Sequence, residues 1–145
     1  MVRYATDPVV TAVIATLTTV GLKVGDGIAP AGVGWGAGAS GAAGVDVFQA
    51  YAVVHLFRVE HDGSLVDPFD DGAPVISVSA YADTASHARR VGDIAHSALV
   101  DGVVTVTGRS VMLVAPLDDA STDRLDDVQP PIWQDVRRYR ISTTA

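Results

Sequence analysis

The chain has 145 residues, no cysteine and a formal net charge of −7, with a single lysine beside its nine arginines. That length allows about one domain with a core of its own, and the absence of thiols excludes disulfides and thiolate metal sites. The acidic balance argues against a general nucleic-acid binder, which needs a basic face to neutralise phosphates, though not against DNA passing nearby.

In chain order, Asp7-Pro8 reads as a helix start, with Asp as cap and Pro at the first helical position. Apolar residues at Val10, Val13, Ile14 and Leu17 predict a helix over residues 8–20 that stops near Gly21. A strand competes for the same residues, because valine and threonine lose rotamer freedom in helices. Val9 to Val20 is too short to cross a bilayer, which takes about 20 helical residues, and no signal peptide or membrane span is evident. Nine glycines fall between Gly21 and Gly44, with Trp35 the only aromatic there. So little apolar surface predicts a mobile loop, and an arm that orders on a partner is one use for it.

Tyr51 to Val59 is rich in β-branched and aromatic residues and predicts a strand in the middle of a sheet. Residues 60–72 carry two Asp-Gly pairs and a proline and predict an acidic turn longer than a tight hairpin. Val75 to Tyr81 alternates Ile76, Val78 and Ala80 with Ser77 and Ser79, a half-buried strand whose serine face is expected to meet water. Asp83 or Thr84 then caps a helix whose apolar stripe is Ala88, Val91, Ala95, Ala98 and Leu99, with Arg89, Arg90, Asp93, His96 and Ser97 opposite. Val103 to Thr107 and Ser110 to Ala115 read as a hairpin about Gly108-Arg109, Leu117 to Gln129 as an acidic surface loop, and Ile132 to Ser142 as a last strand. This order fits an α+β fold in one domain over residues 1–145: a mainly antiparallel or mixed sheet of four to five strands, with two helices packed on one face.

The first long strand is apolar on both faces, Val53 and Phe57 on one and Val54 and Leu56 on the other. Two helices cover one face of a sheet, and leaving each Val or Leu of the other exposed forgoes roughly 1.5 to 3 kcal/mol. A neighbouring subunit is the simplest cover; loop 21–44 folding back is the alternative.

Motif searches remove most chemistry. Gly36 to Gly41 matches G-x-G-x-x-G but lacks the strand before and helix after it that a dinucleotide site needs. Asp67 to Gly72 resembles part of a calcium loop, yet Phe69 and Val78 stand where oxygen ligands are required. His87 and His96 fall on opposite sides of a helix, and His55 and His61 lie about 20 Å apart along a straight strand. No nucleophile motif is present, so no catalytic residue, metal ligand or cofactor is assigned and the chain is not read as an enzyme. Arg137, Arg138 and Arg140 form a basic cluster that either guards an edge strand or meets the acidic turn of an adjacent copy. Trp35, Asp62, Asp67, Asp70, Asp71, Arg137, Arg138 and Arg140 are therefore the candidate interface residues.

The chain resembles the tail terminator proteins of long-tailed bacteriophages, also called minor tail or tail completion proteins. The resemblance rests on an N-terminal helix and a variable loop, then the Tyr-Ala-Val-Val-His strand beginning at Tyr51. It continues through the Val-Ile-Ser-Val-Ser-Ala-Tyr strand of residues 75–81, the Ala-Arg-Arg-Val-Gly-Asp-Ile helix of residues 88–94 and a last strand with Trp133 and Tyr139-Arg140-Ile141. It implies a structural subunit of a homo-oligomeric ring, commonly a hexamer, on the last ring of the tail tube protein. Such a ring stops polymerisation and meets the head connector protein, a head-side stopper or adaptor being the near alternative. Genomic DNA passes through such a ring without sequence-specific binding, and acidic residues facing the channel repel its phosphates. The long glycine segment departs from the family pattern.

Overall fold

In a computed structural model of the chain, which describes residues 6–35, 48–61, 72–117, 121–127 and 130–144, two helices lie against a mixed sheet. The elements are α1 (Asp7–Thr19), β1 (Val24–Asp26), β2 (Gly34–Trp35), β3 (Phe48–Gln49), β4 (Tyr51–His61), β5 (Gly72–Ala82), α2 (Ala85–Val100), β6 (Ser110–Pro116), β7 (Ser121–Leu125) and β8 (Ile132–Thr144). Six strands form the main sheet in the order β1-β4-β5-β8-β6, with β7 also on β8, and β2 pairs β3 separately. The α+β class and the two helices match the sequence reading, and the main sheet has six strands where four to five were expected, because β6 and β7 lie end to end along β8.

The first helix begins at Asp7, one residue before the expected start, with the Thr6 carbonyl accepting from Val9 and Val10 N–H. Its threonines are accommodated because Thr16, Thr18 and Thr19 hydroxyls each donate to the carbonyl four residues back, at 2.8 Å. Val9, Val13 and Leu17 are fully buried. In α2, Thr84 is the cap, its hydroxyl accepting from His87 N–H at 3.1 Å, and the buried stripe is the expected one with Gly92 added. Both helices pack on the sheet face that carries Ala52, Val54, Ile76, Val78, Tyr139 and Ile141.

Several expectations change. Part of the glycine segment belongs to the sheet: β1 runs parallel to β4, Val24 to Asp26 opposite Ala52 to Val54. A Cβ at Gly25 would collide with the Ile28 carbonyl, so the return turn requires glycine there. The expected hairpin does not form. Residues 103–107 run outside the ladders with Val104 and Val106 buried, and β6 pairs β8 instead. The acidic stretch after β6 supplies β7, which pairs the first half of β8. At 13 residues, β8 is long enough to carry β7 and β6 end to end on one side and β5 on the other. It is therefore an interior strand, where an edge strand was one explanation of its arginines.

Candidate assembly surface

The chemistry-bearing residues of β8 divide by parity. Asp135, Arg137 and Tyr139 face the helices, whereas Arg138 and Arg140 face the other side, because successive side chains of a strand alternate. The three arginines therefore do not act as one cluster. Asp135, only 2% exposed, accepts from Arg137 Nε at 2.9 Å through one carboxylate oxygen and from the Thr122 hydroxyl at 3.1 Å through the other. Arg137 Nη2 lies 2.8 Å from Asp93 Oδ1, which ties β8 to α2, and the Tyr139 hydroxyl lies 3.1 Å from His96 Nδ1 on the same helix. Burial acts against the charge of Arg137, but its bonds to Asp135 and Asp93 outweigh that and raise its pKa above the ordinary value. Burial pushes the Tyr139 hydroxyl up to about 12. Helix and strand approach this closely because residue 92 is glycine: a Cβ there would sit 2.6 Å from Asp135 Oδ1.

Trp35 is also held within the chain. Its ring meets Phe48 edge-on at 5.2 Å, its Nε1 donates to the Pro130 carbonyl at 3.0 Å, and the stack continues through Phe48, Tyr51 and Tyr81. Burial, and then the neighbouring Tyr81, raise the Tyr51 pKa. Asp62, Asp67, Asp70 and Asp71 lie outside the described residues.

The face of β4 and β5 away from the helices is more closed than the sequence pattern predicts. Ser77 and Ser79, expected to meet water, are 8% and 4% exposed. Across the sheet the rows read His55, Ser77, Arg138 and Val53, Ser79, Val136. The Arg138 guanidinium reaches from β8 over β5 to the Phe57 ring on β4, 4.2 Å from its centroid, and so lies across the serine strand. Val53 on this face is 4% exposed and Val54 on the helix face fully buried, so the chain itself buries both, which the sequence pattern left to a neighbour or to the loop.

What stays open is the second half of β4. β1 ends opposite Val54, and the next four residues, His55, Leu56, Phe57 and Arg58, are all exposed. Leu56 and Phe57, at 41% and 49%, are large apolar side chains in water. A β-bulge between Leu56 and Arg58 leaves Phe57 without an opposite residue on β5 and turns its ring to the Arg138 face. Sequence reasoning flagged Leu56 and Phe57 among the apolar residues of a strand in need of cover, but drew its candidate interface residues from Trp35, the acidic turn and the arginines. The signal was present as Leu56-Phe57, apolar residues on successive faces, but its exposure depends on where β1 stops.

The grooves offer no built chemical site. Two of about 330 and 440 Å³ run along α1, lined by residues such as Ala12, Ala15 and Thr105, and a third of about 260 Å³ lies beside β6 among Leu99, Val104 and Val114. Among the described residues no three His, Asp or Glu side chains could hold a metal ion, and no helix is long and apolar enough to cross a membrane.

No family model matches the chain, and no curated protein does. Among solved structures the chain is similar to a chain from "Virion of native gene transfer agent (GTA) particle", with a TM-score of 0.62 at 15% identity over 93% of each chain. At that identity the likeness defines a shared fold, and it extends over nearly the whole of both chains.

Proposed function

We propose that the chain is a structural protein of a phage-like virion, and within it a tail terminator. Copies of it form a ring, commonly of six, on the last ring of the tail tube, stop tube polymerisation, present a surface to the head connector and leave a channel for DNA. It performs no catalysis. The observation that carries the virion role is the likeness to a chain of a gene transfer agent virion, which spans both chains almost end to end. A fold alone does not fix a function. The finer role is supported by the resemblance of the strand, strand and helix over residues 51–99 and by exposed apolar side chains at an open sheet edge.

Electron microscopy of tube assembly, with the tube protein of the same particle and with or without this chain, tests the proposal. The expected result is a ring at one end of each tube and a shortened length distribution. An unchanged distribution with bare ends overturns it. Rings that bind portal assemblies and ignore tubes would move the chain to the head-side connectors.

A further inference from the structure

We infer that copies of this chain meet head to tail, the exposed Leu56 and Phe57 of one copy seated in the groove between α1 and residues 102–107 of the next, an inference that rests on the self-association just proposed. Six large apolar side chains of the described residues stand exposed, and five of them gather at two places. Leu56 and Phe57 stand on the open half of β4, and the Gly27 N–H, donating to the Val54 carbonyl at 2.9 Å, brings Ile28 out beside that half. Val20 and Val103 rim the groove at the last turn of α1, and Ile94 alone stands elsewhere. The β4 patch is suited to inserting side chains rather than to extending the sheet. Strand β1 fills its edge as far as Val54, and the bulge at Leu56/Arg58 breaks the ladder and turns Phe57 outward.

The groove owes its shape to a glycine. A Cβ at Gly102 would collide with the Ala98 carbonyl, so only glycine lets the chain turn this tightly off α2. The chain then returns along α1, Val103 beside Thr19 and Val20, Thr105 beside Ala12 and Ala15, and Thr107 beside Asp7 and Thr11. Val104 and Val106 enter the core, which leaves Val103, 86% exposed, at the groove. The Thr16 and Thr19 hydroxyls donate to carbonyls of their own helix, so this wall offers methyl groups more than polar atoms. The part beside Val20 holds about 330 Å³, against the roughly 150 Å³ that encloses a benzene ring, which leaves room for Phe57 with Leu56 next to it. Charge selects the same occupant. Among the described residues no cation lines the groove, Asp101 precedes Gly102 at one end and the exposed Asp7 lies at the other, whereas the β4 patch carries the exposed His55 and Arg58 and has Arg138 against its Phe57 ring. The contact joins two different patches, and a head-to-tail contact of this kind closes into a ring when its rotation allows.

Both patches are exposed and the chain has no cysteine, so crosslinking tests the contact directly. Full-length chains carrying Phe57→Cys, Val103→Cys or both are oxidised on tail tubes and at high concentration alone, then separated without reductant. The double variant should give a ladder of linked copies and a mixture of the singles a dimer, while each single alone stays unlinked. Leu56→Cys with Val20→Cys repeats the test across the same two patches. Ala15→Trp, which fills the groove from an exposed position of α1, should weaken self-association by at least about tenfold in sedimentation, and Ile94→Trp should leave it unchanged. Arg58→Asp should weaken it by a similar factor, with recovery when Asp101→Arg is added. Rings on tubes with no ladder from either pair, or with Ala15→Trp associating like the unaltered chain, would overturn this contact and leave the terminator reading standing. Linked dimers without longer species would overturn its head-to-tail order. Absence of self-association even on tubes removes both.

Discussion

Both halves of strand β4 carry apolar side chains, Ala52, Val53 and Val54 in one and Leu56 and Phe57 in the other, and they differ in fate. Tyr51 to Val54 is enclosed: β1 closes its edge, the helices cover Ala52 and Val54, and the aromatic stack from Trp35 to Tyr81 packs at its start. From His55 to Arg58 the same kind of sequence stands in water, because β1 stops after three residues. Apolar residues on both faces of a strand thus mark a need for cover without saying where it comes from. The chain supplies it for one half and leaves a surface on the other.

Substitutions two residues apart should separate the halves, with a third site as a reference for what holds the sheet to its helices. Val54→Asp sets an unpaired charge in the core and should cost about 4 kcal/mol or more, enough to abolish a cooperative urea transition in a domain of ordinary stability. Arg137→Ala leaves the buried Asp135 with only the Thr122 hydroxyl and should cost about 3 kcal/mol by the same measurement, with part recovered when Asp135→Asn is added. Leu56→Asp should change stability by no more than about 0.5 kcal/mol while removing assembly on tubes. Were it to unfold the chain as Val54→Asp does, the two halves would be one core and the comparison would fail.

Much of the architecture was legible in the residues. The stripe Ala88, Val91, Ala95, Ala98 and Leu99, the alternation of Ile76, Val78 and Ala80 and the β-rich run at Tyr51 each carry a period that local geometry imposes. What escaped has no period to read. Strand β1 is three residues in a glycine-rich stretch, held by pairing with β4 and by Val24 against the core, and β7 is a polar strand that pairs along the first half of β8. The Ser77 row of β5 is buried beside an Arg138 side chain that reaches over to Phe57, a contact between residues far apart in sequence. The candidate surface was half legible for the same reason: the apolar residues of β4 stood out, and the length of β1 that decides their exposure did not.

The neighbours Arg137 and Arg138 give β8 a property that neither has singly. One is clamped toward α2 by two carboxylates and the other is spread over an aromatic ring on the reverse side. A slip of one residue would turn the guanidinium meant for Asp93 onto Phe57 and its neighbour into the helix layer, breaking both attachments at once. The pair therefore works as a two-sided key: the longest strand of the sheet can seat in one frame only, and that frame fixes the register of the three strands that pair with it.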